Sequence, residues 1–266
     1  MLKLGRMLIQ ISIAAALATS LAAAQSQTAA KPQATHPPVA HRAPAAAYDH
    51  ALLNPALLHA RAPAEYNVKM TTTKGIVIIH VTRTWAPNGA DRFYNLVAHH
   101  YFDGASFFRV ISGFMVQFGL SAYPAVNHAW QNAEIKDDPK SAVTQSNHRG
   151  FITFAMTGEP NSRTTQVFIN LVDNARLDAS GFMPFGQVTQ GMEVVDQLYS
   201  GYGEGAPQGA GPDQEQLANK GRAYVDAKFP KLDSIKTAVI VPPVHPATAP
   251  VHHAPAAAAH APAASH

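Results

Sequence analysis

The chain has 266 residues, a formal net charge of +3 and no cysteine. The lack of thiols excludes disulfides, thiolate catalysis and Cys-based zinc sites. Lys and Arg total 20 against 17 Asp and Glu, but they form no run, which argues against nucleic acid and anionic membranes as partners.

Residues 1–24 have the layout of an export signal. Lys3 and Arg6 form a positive start, Met7 to Leu21 is mostly apolar, and Ala22-Ala23-Ala24 before Gln25 offers small residues for cleavage. The apolar run is short for a bilayer-spanning helix, and no second one follows it. The expectation is a cleaved leader rather than an anchor, and a periplasmic or secreted protein with no stable membrane insertion. Two of the excess positive charges leave with this leader. Residues 25–64 are rich in Ala, Pro and His and read as a disordered linker. Within it, Ala51 to Leu58 is a candidate short helix or docking segment, interrupted by Pro55. Residues 242–266 return to the same composition and read as a disordered tail.

Between these arms, residues 65–241 are long enough to bury one full core. Ile76 to Val81 is a β-branched run after Gly75 and predicts a strand. Asn88 is a candidate N-cap for a helix from Gly89 to His100, with Phe93, Leu96, Val97 and Tyr101 at helical spacing. Ser106 to Ile111 and Phe114 to Phe118 predict two strands joined by Ser112-Gly113. Gly150 to Met156, Thr165 to Leu171 and Phe185 to Val188 predict further strands. Gly191 to Tyr199 predicts a second helix. The polar, Gly-rich stretch from Gly201 to Phe229 reads as an inserted loop with a short helix near Gln214 to Lys220. Leu232 to Val241 predicts a closing strand. Many short strands with two helices suggest an antiparallel barrel or sandwich.

Strand alternation groups the chemistry-bearing residues. Phe107, Arg109 and Ile111 are expected on one face. Met115 and Gln117 share a face, and so do Gln166, Phe168 and Asn170. If these faces converge, they form an apolar platform edged by one guanidinium and two amides. Taken singly, each residue has an ordinary reading: a surface ion pair for Arg109, solvated strand residues for the glutamines, core for Phe114, Met115 and Phe168.

Phe107-Phe108-Arg109-Val110-Ile111-Ser112-Gly113-Phe114-Met115-Val116-Gln117 resembles the cyclophilin signature, F-H-R-V-I-x-x-F-M-x-Q-G-G. Gly150 to Met156, Pro160-Asn161-Ser162, Thr165 to Ile169, Leu177-Asp178 and Phe185-Gly186-Gln187-Val188 resemble further motifs of that family, in order and at the right spacing. The resemblance covers Val68 to Ile240. It implies a closed eight-stranded antiparallel β-barrel capped by two α-helices, and a peptidyl-prolyl cis/trans isomerase that needs no cofactor or metal. It also implies proline-containing peptides as partners, and with the export signal the expected partners include unfolded exported proteins. The expected state is a monomer.

By that resemblance Arg109 matches the catalytic arginine and Gln117 the glutamine near the substrate carbonyl. Phe114, Met115, Phe168 and Leu177 match the proline pocket, with Gln166 as a second polar wall. Ala155 and Met156 match the groove strand. Phe182 stands where a His often sits. Phe108, Phe118 and Leu120 replace the family's His, Gly and Asp, and Arg176 replaces a Trp, which implies weak ciclosporin binding. The departures at Phe108, Phe118 and Phe182 motivate an alternative, a proline-peptide-binding module with little turnover. The tail histidines His245, His252, His253, His260 and His266 are a candidate metal tract, disfavoured by irregular, Pro-interrupted spacing. A hydrolase reading fails because no G-x-S-x-G occurs.

Overall fold

The computed structural model describes residues 48–141 and 143–242. The leader over 1–24, the linker as far as residue 47 and the tail from 243 lie outside the described residues. No helix among the described residues is long and apolar enough to cross a membrane.

In chain order the elements are β1 (Glu65–Thr72), β2 (Ile76–Thr82), α1 (Pro87–Ala98), β3 (Arg109–Ile111), β4 (Met115–Phe118) and α2 (Pro124–Trp130). Then follow β5 (Phe151–Phe154), β6 (Val167–Asn170), α3 (Arg176–Ala179), β7 (Pro184–Gln190), α4 (Met192–Asp196), α5 (Gln214–Lys220), α6 (Arg222–Lys228) and β8 (Ile235–Val241). The strands form one antiparallel sheet in the order β3-β4-β6-β5-β7-β2-β1-β8. Apolar residues from every strand and from α1 fill its concave side, among them Val68, Ile79, Phe93, Leu96, Val116, Ile152, Ile169 and Phe185. Burial of this size dominates the favourable side of folding.

The sheet differs from the closed barrel expected. Its ladder ends at β3 and β8, which do not pair along their lengths. Their lead-in segments meet instead. Ser106 bridges Ser234, Gly104 N donates to Ile235 O, Ile235 N to Ala105 O, and Phe107 N to Asp233 O. With only three residues, β3 is too short to carry a full seam. The result is a curled half-barrel joined over one short stretch.

The helices also depart from expectation. Six α-helices are present among the described residues: the two expected as caps, the short one expected at Gln214–Lys220, and α2, α3 and α6, which were not expected. Asn88 lies inside α1, not at its cap: Pro87 opens the helix with its fixed φ. The free N–H groups of Asn88 and Gly89 donate to the Asp138 carboxylate, at 2.7 and 3.0 Å. A distant loop thus supplies the anion that the helix start favours. The second expected helix is shorter at both ends, Met192–Asp196.

The segment read as linker is ordered and seated from Tyr48 onward. Two 3₁₀ turns, His50–Leu53 and Pro55–Leu57, lay it across α1 and α2. Leu52 is 1% exposed, and its carbonyl accepts from Trp130 Nε1 at 2.8 Å. Asn95 bonds both the N–H and the C=O of Ala60. Pro55 takes the first position of a turn, where a missing N–H costs nothing, so it does not prevent docking.

Candidate active site

The site grows from the pairing of four neighbouring strands. Arg109 opposes Gln117, Gln117 opposes Phe168, and Phe168 opposes Thr153. Directly opposed residues stand on the same side of an antiparallel sheet. The adjacent row, Val110, Val116, Ile169 and Ile152, points the other way into the core. One sheet therefore presents a polar and aromatic row outward and an aliphatic row inward.

Phe107 breaks the expected alternation. It lies in the main core with Val110 rather than beside Arg109. Residues 106–108 precede the ladder, so the period of two does not bind them. Asn170 shares the face of Phe168 but lies deeper. Its amide donates to Asn147 Oδ1 and Phe151 O, and its Oδ1 accepts from Asn174.

All ten residues assigned from the sequence line one cavity of about 680 Å³: Arg109, Phe114, Met115, Gln117, Ala155, Met156, Gln166, Phe168, Leu177 and Phe182. Phe168 and Phe182 meet edge to face with centroids 5.6 Å apart. Gly119 makes the polar side compact. It sits at φ +112°, and a Cβ there would stand 2.4 Å from Thr165 O. Only glycine permits this approach, and it brings Gln166 beside Gln117.

A hydrogen-bonded chain crosses the cavity wall. Arg109 Nη1 donates to Gln117 Oε1 at 2.9 Å, and Gln117 Nε2 donates to Gln166 Oε1 at 2.8 Å. On its other side Arg109 forms a two-pronged ion pair with Glu204, Nε to Oε1 at 2.5 Å and Nη2 to Oε2 at 2.7 Å. The bond from Arg109 holds the Glu204 carboxyl below its usual range, against the opposing effect of burial. Among the described residues no buried side-chain nitrogen or oxygen lacks a partner.

Sequence reasoning missed Gln131, Glu134, Thr157, Glu159, Ser162, Thr164 and Gln214, which complete the rim. Gln131 and Glu134 follow α2, and Gln214 belongs to the insertion. None sits on a strand whose alternation could have pointed to the cavity.

A family model described as cyclophilin type peptidyl-prolyl cis-trans isomerase/CLD matches residues 67–215. The chain belongs to this family. This cyclophilin is 36% identical over 146 residues to a peptidyl-prolyl cis-trans isomerase of Acinetobacter baylyi, covering 53% of this chain and 76% of that relative. It is 32% identical over 138 residues to peptidyl-prolyl cis-trans isomerase B of Escherichia coli, covering 49% and 82%. A solved cyclophilin-type isomerase from Cryptosporidium parvum superposes with a TM-score of 0.50 at 20% identity, over 66% of this chain and 98% of that one; this likeness speaks to the fold alone. The chain is an isomerase of the cyclophilin family.

The departures from the family pattern now have physical explanations. Phe108 and Leu120 are buried together with Leu217 and Val225 in a second apolar cluster. They seat α5 and α6 of the insertion rather than altering the pocket. Phe118 is fully buried in the main core against Phe102 and Phe107. Arg176 lies 4.6 Å over the Phe114 ring and is exposed, an attractive cation–π placement. Of the replaced positions noted, only Phe182 faces the cavity.

The wall carrying Leu177 and Phe182 hangs on Asp178. Burial pushes the Asp178 carboxyl up, but bonds from Ser146 and Asn147 outweigh it and hold the group below its ordinary value of 3.8. The buried Asn147 amide also donates to Phe182 O at 2.8 Å. A carboxyl depressed in the folded state stabilises above its unfolded value and loses that contribution as pH falls through the folded one. Asp178→Ala is expected to cost about 1–3 kcal/mol at neutral pH, because it leaves the Asn147 donors unpaired. The gap in melting temperature between variant and parent is expected to shrink below about pH 4. Thermal melts across pH 2–7 check both the size and the sign.

Proposed function

We propose that this protein accelerates rotation about X-Pro peptide bonds in exported proteins, with Arg109 stabilising the twisted amide over an apolar proline pocket. The observation that carries this reading is the shared row of Arg109, Gln117 and Phe168 on one face of the sheet, beside Met115, Leu177 and Phe182.

The barrier to rotation is about 18–20 kcal/mol and arises from amide resonance. No bond to carbon breaks, so the reaction asks for no nucleophile. At the twisted state the prolyl nitrogen recovers its lone pair and becomes a hydrogen-bond acceptor. A guanidinium aimed at that nitrogen binds the twisted state better than the planar one, which is the condition for a rate gain. Arg suits the task because it stays charged and presents donors in a fixed fork. Phe114, Met115, Phe168, Leu177 and Phe182 hold the proline ring and exclude water, which strengthens the bond. Gln117 is placed to hold the carbonyl that turns, while Gln166 fixes the Gln117 amide. Ala155 and Met156 offer a groove for the peptide. The alternative of a proline-binding module with little turnover is not favoured, since the replaced residues that motivated it mostly serve the core and the insertion.

Export is supported by the composition of residues 1–24, and places the substrates among unfolded chains outside the cytoplasm. N-terminal sequencing of the protein recovered from the cell envelope or medium is expected to begin at Gln25; retention of Met1 would contradict this. The catalytic reading is tested by the cis/trans exchange rate of an Ala-X-Pro-Phe peptide with the full chain. Rapid exchange is expected, falling on the order of 100-fold in kcat/KM for Arg109→Ala. Near-full activity in that variant would overturn the mechanism.

A further inference from the structure

We propose that Glu204 is a positioning residue for the isomerase reaction, clamping the Arg109 guanidinium from outside the cavity so that its free donors face the substrate. This rests on the role given to Arg109 above.

Glu204 belongs to none of the strands that build the site. It comes from the stretch between α4 and α5, 95 residues away from its partner. Both carboxylate oxygens engage the guanidinium, at Nε and Nη2. Nη1 is held separately by Gln117. Three of the five N–H groups are thus committed along two edges of the planar guanidinium. Two more remain, one on each Nη, and only the one on Nη1 has a further protein contact. A weak acceptor, the Met115 sulfur, lies 3.8 Å from Nη1.

Location separates clamping from blocking. Arg109 and Gln117 line the cavity, whereas Glu204 does not. The carboxylate holds the cation without occupying the place a proline would take. The exposures agree with this, since the Arg109 side chain is 22% exposed and Glu204 38%. A solvent-facing ion pair of this kind adds little stability. Its two-pronged geometry instead fixes the orientation of a side chain that is otherwise flexible. Orientation is what a bond made only in the twisted state requires.

Glu204 is itself held by the chain around it. Gly205 N donates to Glu204 Oε1 at 2.9 Å, and Gly211 N to Glu204 O at 2.8 Å. A Cβ on Gly209 would lie 2.4 Å from Glu204 O, so the loop closes on the glutamate only with glycine there. Beyond the loop, Leu217 and Val225 dock on Phe108 and Leu120. The insertion is therefore anchored to the residue next to Arg109 and delivers its carboxylate to Arg109 itself.

The test compares the full chain with Glu204→Ala, Glu204→Gln, Arg109→Ala and the double variant Arg109→Ala/Glu204→Ala. Cis/trans exchange is measured by exchange NMR and saturation kinetics, and folding by melting temperature. For Glu204→Ala, kcat is expected to fall roughly tenfold, with KM within about twofold of the parent. Glu204→Gln, which keeps one acceptor, is expected to fall between the two. In the Arg109→Ala background, removing Glu204 is expected to change nothing further, because the two act as one unit. An unchanged or faster Glu204→Ala would overturn the proposal, the faster result marking the carboxylate as a competitor for the guanidinium. An equal extra loss in the double variant would also overturn it, by assigning Glu204 a role in the loop alone. Should Arg109→Ala stay active, the reading of Arg109 fails as well, and the two failures are told apart by that single variant.

Discussion

A guanidinium beside an apolar pocket is the constraint on which the rest of the site depends. A guanidinium at the edge of an apolar pocket keeps one direction only when its donors are paired and hydrogen-bonded. Here Arg109 sits at the start of a three-residue edge strand, where the sheet alone offers it one neighbour. That neighbour is Gln117, directly opposite in the register. Glu204 supplies the remaining partners from outside the sheet. The cation is satisfied on two sides and left open toward the cavity.

The positioning role proposed for Glu204 gives the insertion and the second apolar cluster a common purpose. A polar, glycine-rich loop cannot hold a carboxylate in place by itself. The helices α5 and α6 bury Leu217 and Val225 against Phe108 and Leu120, which gives the loop a rigid base. Phe108 is adjacent to Arg109 in the chain, so the residue that anchors the insertion neighbours the one that receives its carboxylate. The opposite wall is organised in the same manner by Asp178, Asn147 and the backbone of Phe182. Polar networks outside the cavity thus set the positions of the apolar groups within it.

Much of the site could be read from the sequence because its strands alternate cleanly. Met115 and Gln117, and Gln166 and Phe168, fall together as the period of two requires. Alternation failed at Phe107, where the chain has not yet joined the ladder. Strand β1 is absent from the sequence-based strands, although Tyr66, Val68, Met70 and Thr72 are all buried; Asn67 is buried with them, and the polar residues between the apolar ones weaken the signal. The cap on α1 was misplaced because its anion, Asp138, comes from about fifty residues further on. The docking of residues 48–62 was hidden by an Ala- and Pro-rich composition, which resembles a linker whenever the partner surface is not visible. Glu204 was beyond reach for the same reason: no local pattern links it to Arg109.

The central claim is that a fork of oriented donors on Arg109, and not merely a positive charge, selects the twisted amide. Arg109→Lys tests it most directly, measured as the exchange rate of a prolyl peptide with the full chain. Lysine keeps the charge but presents a compact ammonium that cannot pair with Glu204 and Gln117 while also facing the substrate. The account predicts a loss approaching that of alanine. A lysine variant that keeps most of the parent rate would contradict it, and would show that a point charge beside the pocket suffices.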